Sequence, residues 1–187
     1  MMATAQAPAT PTPVQAGKSY GTLVDASTVR IQRTLRGPIE RVWASLTQSE
    51  IRAQWLASGD MELKPGATFE LVWRNGNLSD AADARPEGMS EEHRATCEIL
   101  EVDPPRRLRY LWTDAGEVTF DLKPDGNDVL LTLTHRRLSN RRLVLGVSAG
   151  WHVHLDILAA RLAGTQAPSV WREWPRLRAE YDRRVPE

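Results

Sequence analysis

Cysteine is almost absent from this chain: Cys97 is the only one among 187 residues. A single thiol excludes an internal disulfide, so the core must hold the fold, and a reducing, cytoplasmic compartment is the expectation. Net charge is absent too. Lys plus Arg number 24 and Asp plus Glu number 24, and without a basic footprint no nucleic-acid partner is expected. No apolar run reads as long enough to cross a bilayer, so no membrane span is expected. A phosphate-cradling glycine loop, a G-x-S-x-G elbow and an H-E-x-x-H helix are all missing. Their absence removes the commonest nucleotide-binding, serine-hydrolase and zinc-protease readings. The sequence calls for no cofactor and no metal, and it assigns no catalytic residue.

What the chain does have is tryptophan, seven in all, in a length suited to one domain. Residues 1–20, rich in Ala, Pro and Thr, lack the basic start and apolar centre of a secretory signal and read as a disordered leader. The domain is expected over 21–165. It opens with a strand burying Val29, Ile31 and Arg33 or Leu35. Gly37-Pro38 then starts a helix carrying Ile39, Val42, Trp43 and Leu46 at helical spacing. A second short helix follows, with Ser49 as N-cap and Ile51, Trp55 and Leu56 on its apolar side.

From Met61 the period changes to two. Lys64-Pro65-Gly66 is a turn, Phe69, Leu71 and Trp73 alternate with polar neighbours, and Asn75 to Ser90 read as a long loop that suits a lid. His93–Val102, Arg107–Thr113, Glu117–Lys123 and Asp128–Arg137 read as hairpin-linked strands, with Pro124-Asp125-Gly126-Asn127 the strongest turn signal. A long helix after Ser139-Asn140 puts Val144, Val147, Trp151, Leu155, Leu158 and Leu162 on one side and ends at Gly164. The tail, 166–187, carries a stripe of Trp171, Trp174, Leu177 and Tyr181, with Pro175 placing the helix start near Trp174. That stripe packs on the domain itself or meets a second copy in a homodimer. The order specifies an α+β fold.

Several motifs in this order resemble the START-like (SRPBCC) superfamily, in particular the branch named after the activator of heat-shock protein 90 ATPase. They are Pro38-Ile39-Glu40-Arg41-Val42-Trp43, the Pro65-Gly66 turn before Phe69-Glu70, and Glu98-Ile99-Leu100-Glu101-Val102-Asp103-Pro104-Pro105. Leu131-Thr132-Leu133-Thr134-His135 and Gly150-Trp151 continue the series. The resemblance covers about Thr28 to Gly164. It implies a helix-grip fold, a curved antiparallel sheet wrapped around a long C-terminal helix with a hydrophobic cavity between them. It also implies three kinds of activity: small-molecule binding, cyclase or hydrolase chemistry, and docking of a chaperone or regulator. Fold alone does not choose among them.

Alternation assigns the inner face of that sheet. Leu71 and Trp73, Tyr110 and Trp112, Phe120, Leu133 and His135 face Trp151, His154, Leu155 and Leu158 of the long helix, and these form the candidate ligand-binding set. The bland reading is an ordinary packed core. His152-Val153-His154-Leu155-Asp156 invites a metal reading, but residues two apart on a helix project about 200° from each other and cannot share an ion. His152 and Asp156 are expected to pair on the solvent face. His135 and His154 suit polar recognition or acid–base work, or each is a half-buried histidine with one hydrogen bond. Arg74 is a further candidate for a polar contact, and Cys97 reads as structural. The absence of a linked catalytic set favours binding of a hydrophobic or aromatic small molecule over an enzyme.

Overall fold

The computed structural model describes residues 19–186. The leader expected over 1–20 lies outside the described residues except for Ser19 and Tyr20. Tyr20 is packed, its ring edge-on to His152 and Tyr181 at 5.0 and 5.5 Å.

The strands are β1 (Thr22–Asp25), β2 (Thr28–Arg36), β3 (Thr68–Trp73), β4 (His93–Asp103), β5 (Arg107–Trp112), β6 (Gly116–Asp125) and β7 (Asp128–Arg136). They form one antiparallel sheet in the order β1-β2-β7-β6-β5-β4-β3. Helices α1 (Ile39–Thr47) and α2 (Ser49–Arg52) link β2 to β3, while α3 (Arg141–Ala163) and α4 (Val170–Arg184) follow β7. The sheet curves around α3, which is the helix-grip arrangement.

Period two sorts the faces. In β2, Val29, Ile31, Arg33 and Leu35 are buried while Arg30, Gln32, Thr34 and Arg36 are exposed. Antiparallel register aligns the inward sets into rows. Val29 lies opposite His135, then Val118, Tyr110 and Ile99 across five strands. The next row is Ile31, Leu133, Phe120, Leu108 and Val102. A one-residue slip would turn both rows to solvent, so burial fixes the register. At the end of β5, Trp112 lies opposite Gly116, whose φ is 100°; a Cβ there would strike the Arg136 carbonyl.

Four local expectations need correction. Helix α2 is a single turn in which Ser49 is the first residue and not the cap; its hydroxyl accepts the Gly59 N–H at 2.9 Å instead. The Asn75–Ser90 stretch is not a free lid. The Ser79 hydroxyl accepts Trp171 N–H at 3.0 Å, the Ser169 hydroxyl accepts Asp80 N–H at 3.2 Å, and Arg172 pairs with Asp80 and Asp83. Helix α4 starts at Val170 and runs through Pro175. The missing N–H costs one bond close to the helix start, and burial of Trp171, Leu177 and Tyr181 against the domain offsets it. Finally, α3 does have the length and apolar composition of a membrane span, but 67% of that stretch is buried inside the domain. A core helix covered on several sides has that composition for its own reasons. Its ends are conventional: Asn140 accepts Leu143 N–H at 2.9 Å, and Gly164 closes the helix at φ 68°.

Candidate functional site

The sheet brings aromatic side chains from four strands together under α3. Trp73 and Trp112 stack at 5.0 Å between centroids and 15° between planes, and Trp112 continues onto the His135 ring at 5.7 Å and 26°. Trp151 meets the flank of this three-ring stack edge-on, 6.5 Å from Trp112, and also lies 5.6 Å from Phe120. Tyr110 extends the surface towards Phe69 and Phe120. Leu71, Leu133, Leu155 and Leu158 are buried around it, so the whole candidate set lies on the sheet and helix faces that meet. Trp112 alone among its aromatic members is half-exposed, and the neighbouring His93, 5.5 Å from Trp73, is exposed. The stack therefore has an edge at the surface.

The two inner histidines are committed to single neutral forms. An indole N–H only donates, so the 2.9 Å contact from Trp151 Nε1 makes His135 Nδ1 an acceptor. The proton is then on Nε2, which donates to the Ala115 carbonyl at 2.7 Å. His154 Nδ1 donates to the Trp55 carbonyl at 2.7 Å. Burial holds both pKa values down to about 4, partly opposed by those carbonyl bonds. They are uncharged at neutral pH, and neither contacts a carboxylate that would make it an acid–base pair.

Arg52 was not among the sequence candidates, yet it is only 2% exposed. Its Nη1 donates to the Leu46 and Thr47 carbonyls at 3.1 Å each, and its Nη2 donates to the Gly59 carbonyl. The guanidinium thus caps the C-terminal end of α1 and pins the turn after α2. Helical phase was the missed signal, because Arg52 sits three and four residues before the buried Trp55 and Leu56. Its charge reaches Tyr110 and Cys97 on the inner faces of β5 and β4. Cys97 faces the concave side, opposite both Phe69 and Trp112, and burial pushes its thiol up to about 12. Arg74 turns away and pairs with Glu92 at 2.7 Å on the exposed surface, so it adds nothing to this site.

The other flank of α3 carries a polar chain. Arg33 Nε donates to Asp156 Oδ1 at 2.8 Å, and its Nη1 donates to the carbonyls of Ser19 and Gln32. His152 Nε2 lies 3.4 Å from Asp156 Oδ2, and His152 Nδ1 lies 3.0 Å from the Tyr181 hydroxyl, which accepts Gly21 N–H at 2.7 Å. The expected His152–Asp156 pair exists, but not on a solvent face: His152 is 2% exposed because α4 and Tyr20 cover it. Burial alone would raise the Asp156 pKa, but His152 and Arg33 outweigh it and hold the carboxyl below its ordinary range. Burial pushes the Tyr181 phenol up to about 12. His152 and His154 point to Tyr181 and Trp55 respectively, on different sides of the helix, as the 200° separation requires.

Two open clefts lie elsewhere. One, of about 440 Å³, is bounded by Gly37–Glu40 and Gly126–Val129. The other, of about 680 Å³, lies between Ser19–Leu23, Ser148 and the end of α4. Neither is lined by a residue of the aromatic set.

Comparison with known proteins follows the same outline. The profile of the family described as activator of Hsp90 ATPase homolog 1-like protein matches residues 36–163. The chain belongs to this family. The solution structure of a Bordetella parapertussis protein is 36% identical, covering 95% of this chain and 96% of that one with a TM-score of 0.76. CalU16 from Micromonospora echinospora, 23% identical over 86% of this chain and 89% of its own, shares the fold at a TM-score of 0.62. DynU16, at 23% identity and a TM-score of 0.57, covers 76% of this chain and 49% of its own. No curated protein matches. As a member of the Hsp90 ATPase activator homolog 1-like family, the chain keeps the aromatic stack, Arg52 and both inner histidines inside the matched span. Arg33, Tyr20 and Tyr181, which complete the polar chain, lie outside it.

Proposed function

We propose that this chain is a binding domain for a hydrophobic or aromatic small molecule, taken up against the Trp73–Trp112–His135 stack between the sheet and α3. The observation that carries the reading is Trp112, the half-buried middle ring of an otherwise buried aromatic row, whose edge reaches the surface. Stacking on such a surface contributes about 1 kcal/mol per ring pair beyond area burial. Entry runs past Trp112 and the Thr113–Ala115 turn, where the row comes nearest the surface. Binding is favoured over catalysis because His135 commits both ring nitrogens to Trp151 and Ala115, His154 commits Nδ1 to Trp55, and neither contacts a carboxylate. Among the structural neighbours, DynU16 is described as a putative protein in the dynemicin biosynthetic locus. That setting agrees with small-molecule handling but is not transferred to this chain.

Native mass spectrometry of freshly purified protein, compared with the same sample denatured, tests the reading. An added mass lost on denaturation is expected, with Trp112→Ala reducing its occupancy several-fold. A clean mass, together with no saturable change in tryptophan fluorescence across a panel of aromatic probes, would overturn it.

A further inference from the structure

Among the described residues, Arg52 is the deeply buried cation that makes no contact with any carboxylate. Arg33, the other buried arginine, has Asp156. A guanidinium carries five N–H donors, and three bonds from Arg52 are made. Nη1 and Nη2 are taken by the Leu46, Thr47 and Gly59 carbonyls, but Nε has no partner at all. An ionised group in a low-dielectric interior is costly unless it is matched by opposite charge as well as by hydrogen bonds. The carbonyl end of α1 supplies only a partial negative charge.

The neighbours do not make up the difference. Tyr110 and Cys97, the groups on the inner sheet face that feel this charge, both stay protonated near neutral pH, because burial raises the phenol well above its ordinary value and the thiol to about 12. Asp60 acts on Arg52 from the exposed surface, without contact. A fixed positive charge and a buried donor with no acceptor therefore lie within electrostatic reach of a neutral phenol that belongs to the aromatic row.

We propose that Arg52 Nε is the recognition point for an anionic oxygen on the ligand, so that the domain takes aromatic carboxylates or acidic phenols and enols in preference to neutral aromatics. This rests on the binding reading above and names the ligand class for the same site. The charged oxygen would supply the missing acceptor, and the ring would lie along Phe69, Tyr110 and Trp112. A charge-assisted hydrogen bond in a buried site is about twice as strong as a neutral one, enough for roughly a tenfold preference.

The test uses a matched pair of probes, 2-naphthoate and 2-naphthamide, titrated into the full chain at pH 7.5 by calorimetry and tryptophan fluorescence. Naphthoate is expected to bind about tenfold more tightly. Arg52→Gln is expected to abolish that preference while leaving naphthamide within twofold of its original affinity. Because Arg52 also pins α1, thermal melting accompanies each variant, and the comparison on the unmodified protein decides the matter even where Arg52→Gln fails to fold. Equal affinity for the two probes overturns the assignment to Arg52 and leaves the binding site standing. Failure of both probes to bind counts against the concave site itself, and the proposal goes with it.

Discussion

Two flanks of α3 solve the same problem in opposite ways. Towards the sheet, Trp151, His154, Leu155 and Leu158 meet apolar and aromatic side chains, and the Trp151 indole N–H and His154 Nδ1 each make one short bond to a neighbour. Towards α4 and the chain's first residues, Arg33, Asp156, His152, Tyr181 and Gly21 form one continuous polar chain joining β2, α3, α4 and the segment before β1. The first flank is built from sheet register and one helix, and its aromatic set lies within the family's matched span. The second depends on residues outside it. The candidate site sits within the matched framework, and a polar clasp ties the chain's outer segments across its back.

The sharpest way to separate the flanks is acid. His135 and His154 have pKa values of about 4 in the fold, against about 6.5 in an unfolded chain. As pH falls through 6.5 the unfolded chain takes up protons that the folded one refuses. The stability contribution is therefore complete above pH 6.5 and drains away down to pH 4, at about 3 kcal/mol for each histidine. Asp156 works in a lower window: its depressed pKa adds stability above the ordinary carboxylate range, and this is lost only as pH falls below it. Urea unfolding at several pH values is expected to show a steep loss between 6.5 and 4 from the sheet-facing flank. A flat profile between pH 7 and 5 would mean that the inner histidines are not held neutral.

Mutation ranks the rest. Trp151→Ala removes an aromatic from the stack and strands His135 Nδ1, with an expected loss of about 3–5 kcal/mol in denaturant unfolding. Asp156→Ala leaves Arg33 buried without its counter-charge. A full burial would cost about 3–5 kcal/mol, but the carboxylate is 29% exposed, so a loss of about 2 kcal/mol is expected. The double variant Arg33→Met, Asp156→Leu is expected to recover most of it; no recovery would show that the pair does more than neutralise itself. Tyr181→Phe deletes only the hydroxyl linking Gly21 to His152 and is expected to cost about 1 kcal/mol by the same measurement.

The sheet-facing flank was largely readable because its signal is periodic. Alternation in β2, β3, β5, β6 and β7 places Leu71, Tyr110, Phe120, Leu133 and His135 inward whatever the loops do, and a 3.6-residue period does the same for Trp151 and Leu155. The clasp was not readable, because no single element carries it. His152 and Asp156 look solvent-facing until α4 covers them, and α4 itself is obscured by Pro175, whose cost depends on its position near the helix start. Arg52 shows a different limit. An arginine on a one-turn helix reads as surface unless Trp55 and Leu56 beyond it are seen to share its side. Periodicity reports burial by one neighbour, and these residues are buried by several.

The bond between Trp151 and His135 gives the protein a built-in indicator. A guest that enters between Trp112 and His135 disturbs the indole–imidazole bond, because Trp112 lies against both rings. Until then the indole proton is shielded from water, and the Nε2 tautomer of His135 is frozen. Solvent exchange of that one proton therefore works as a clock for how often the domain opens, and it can be read by nuclear magnetic resonance before any guest is known.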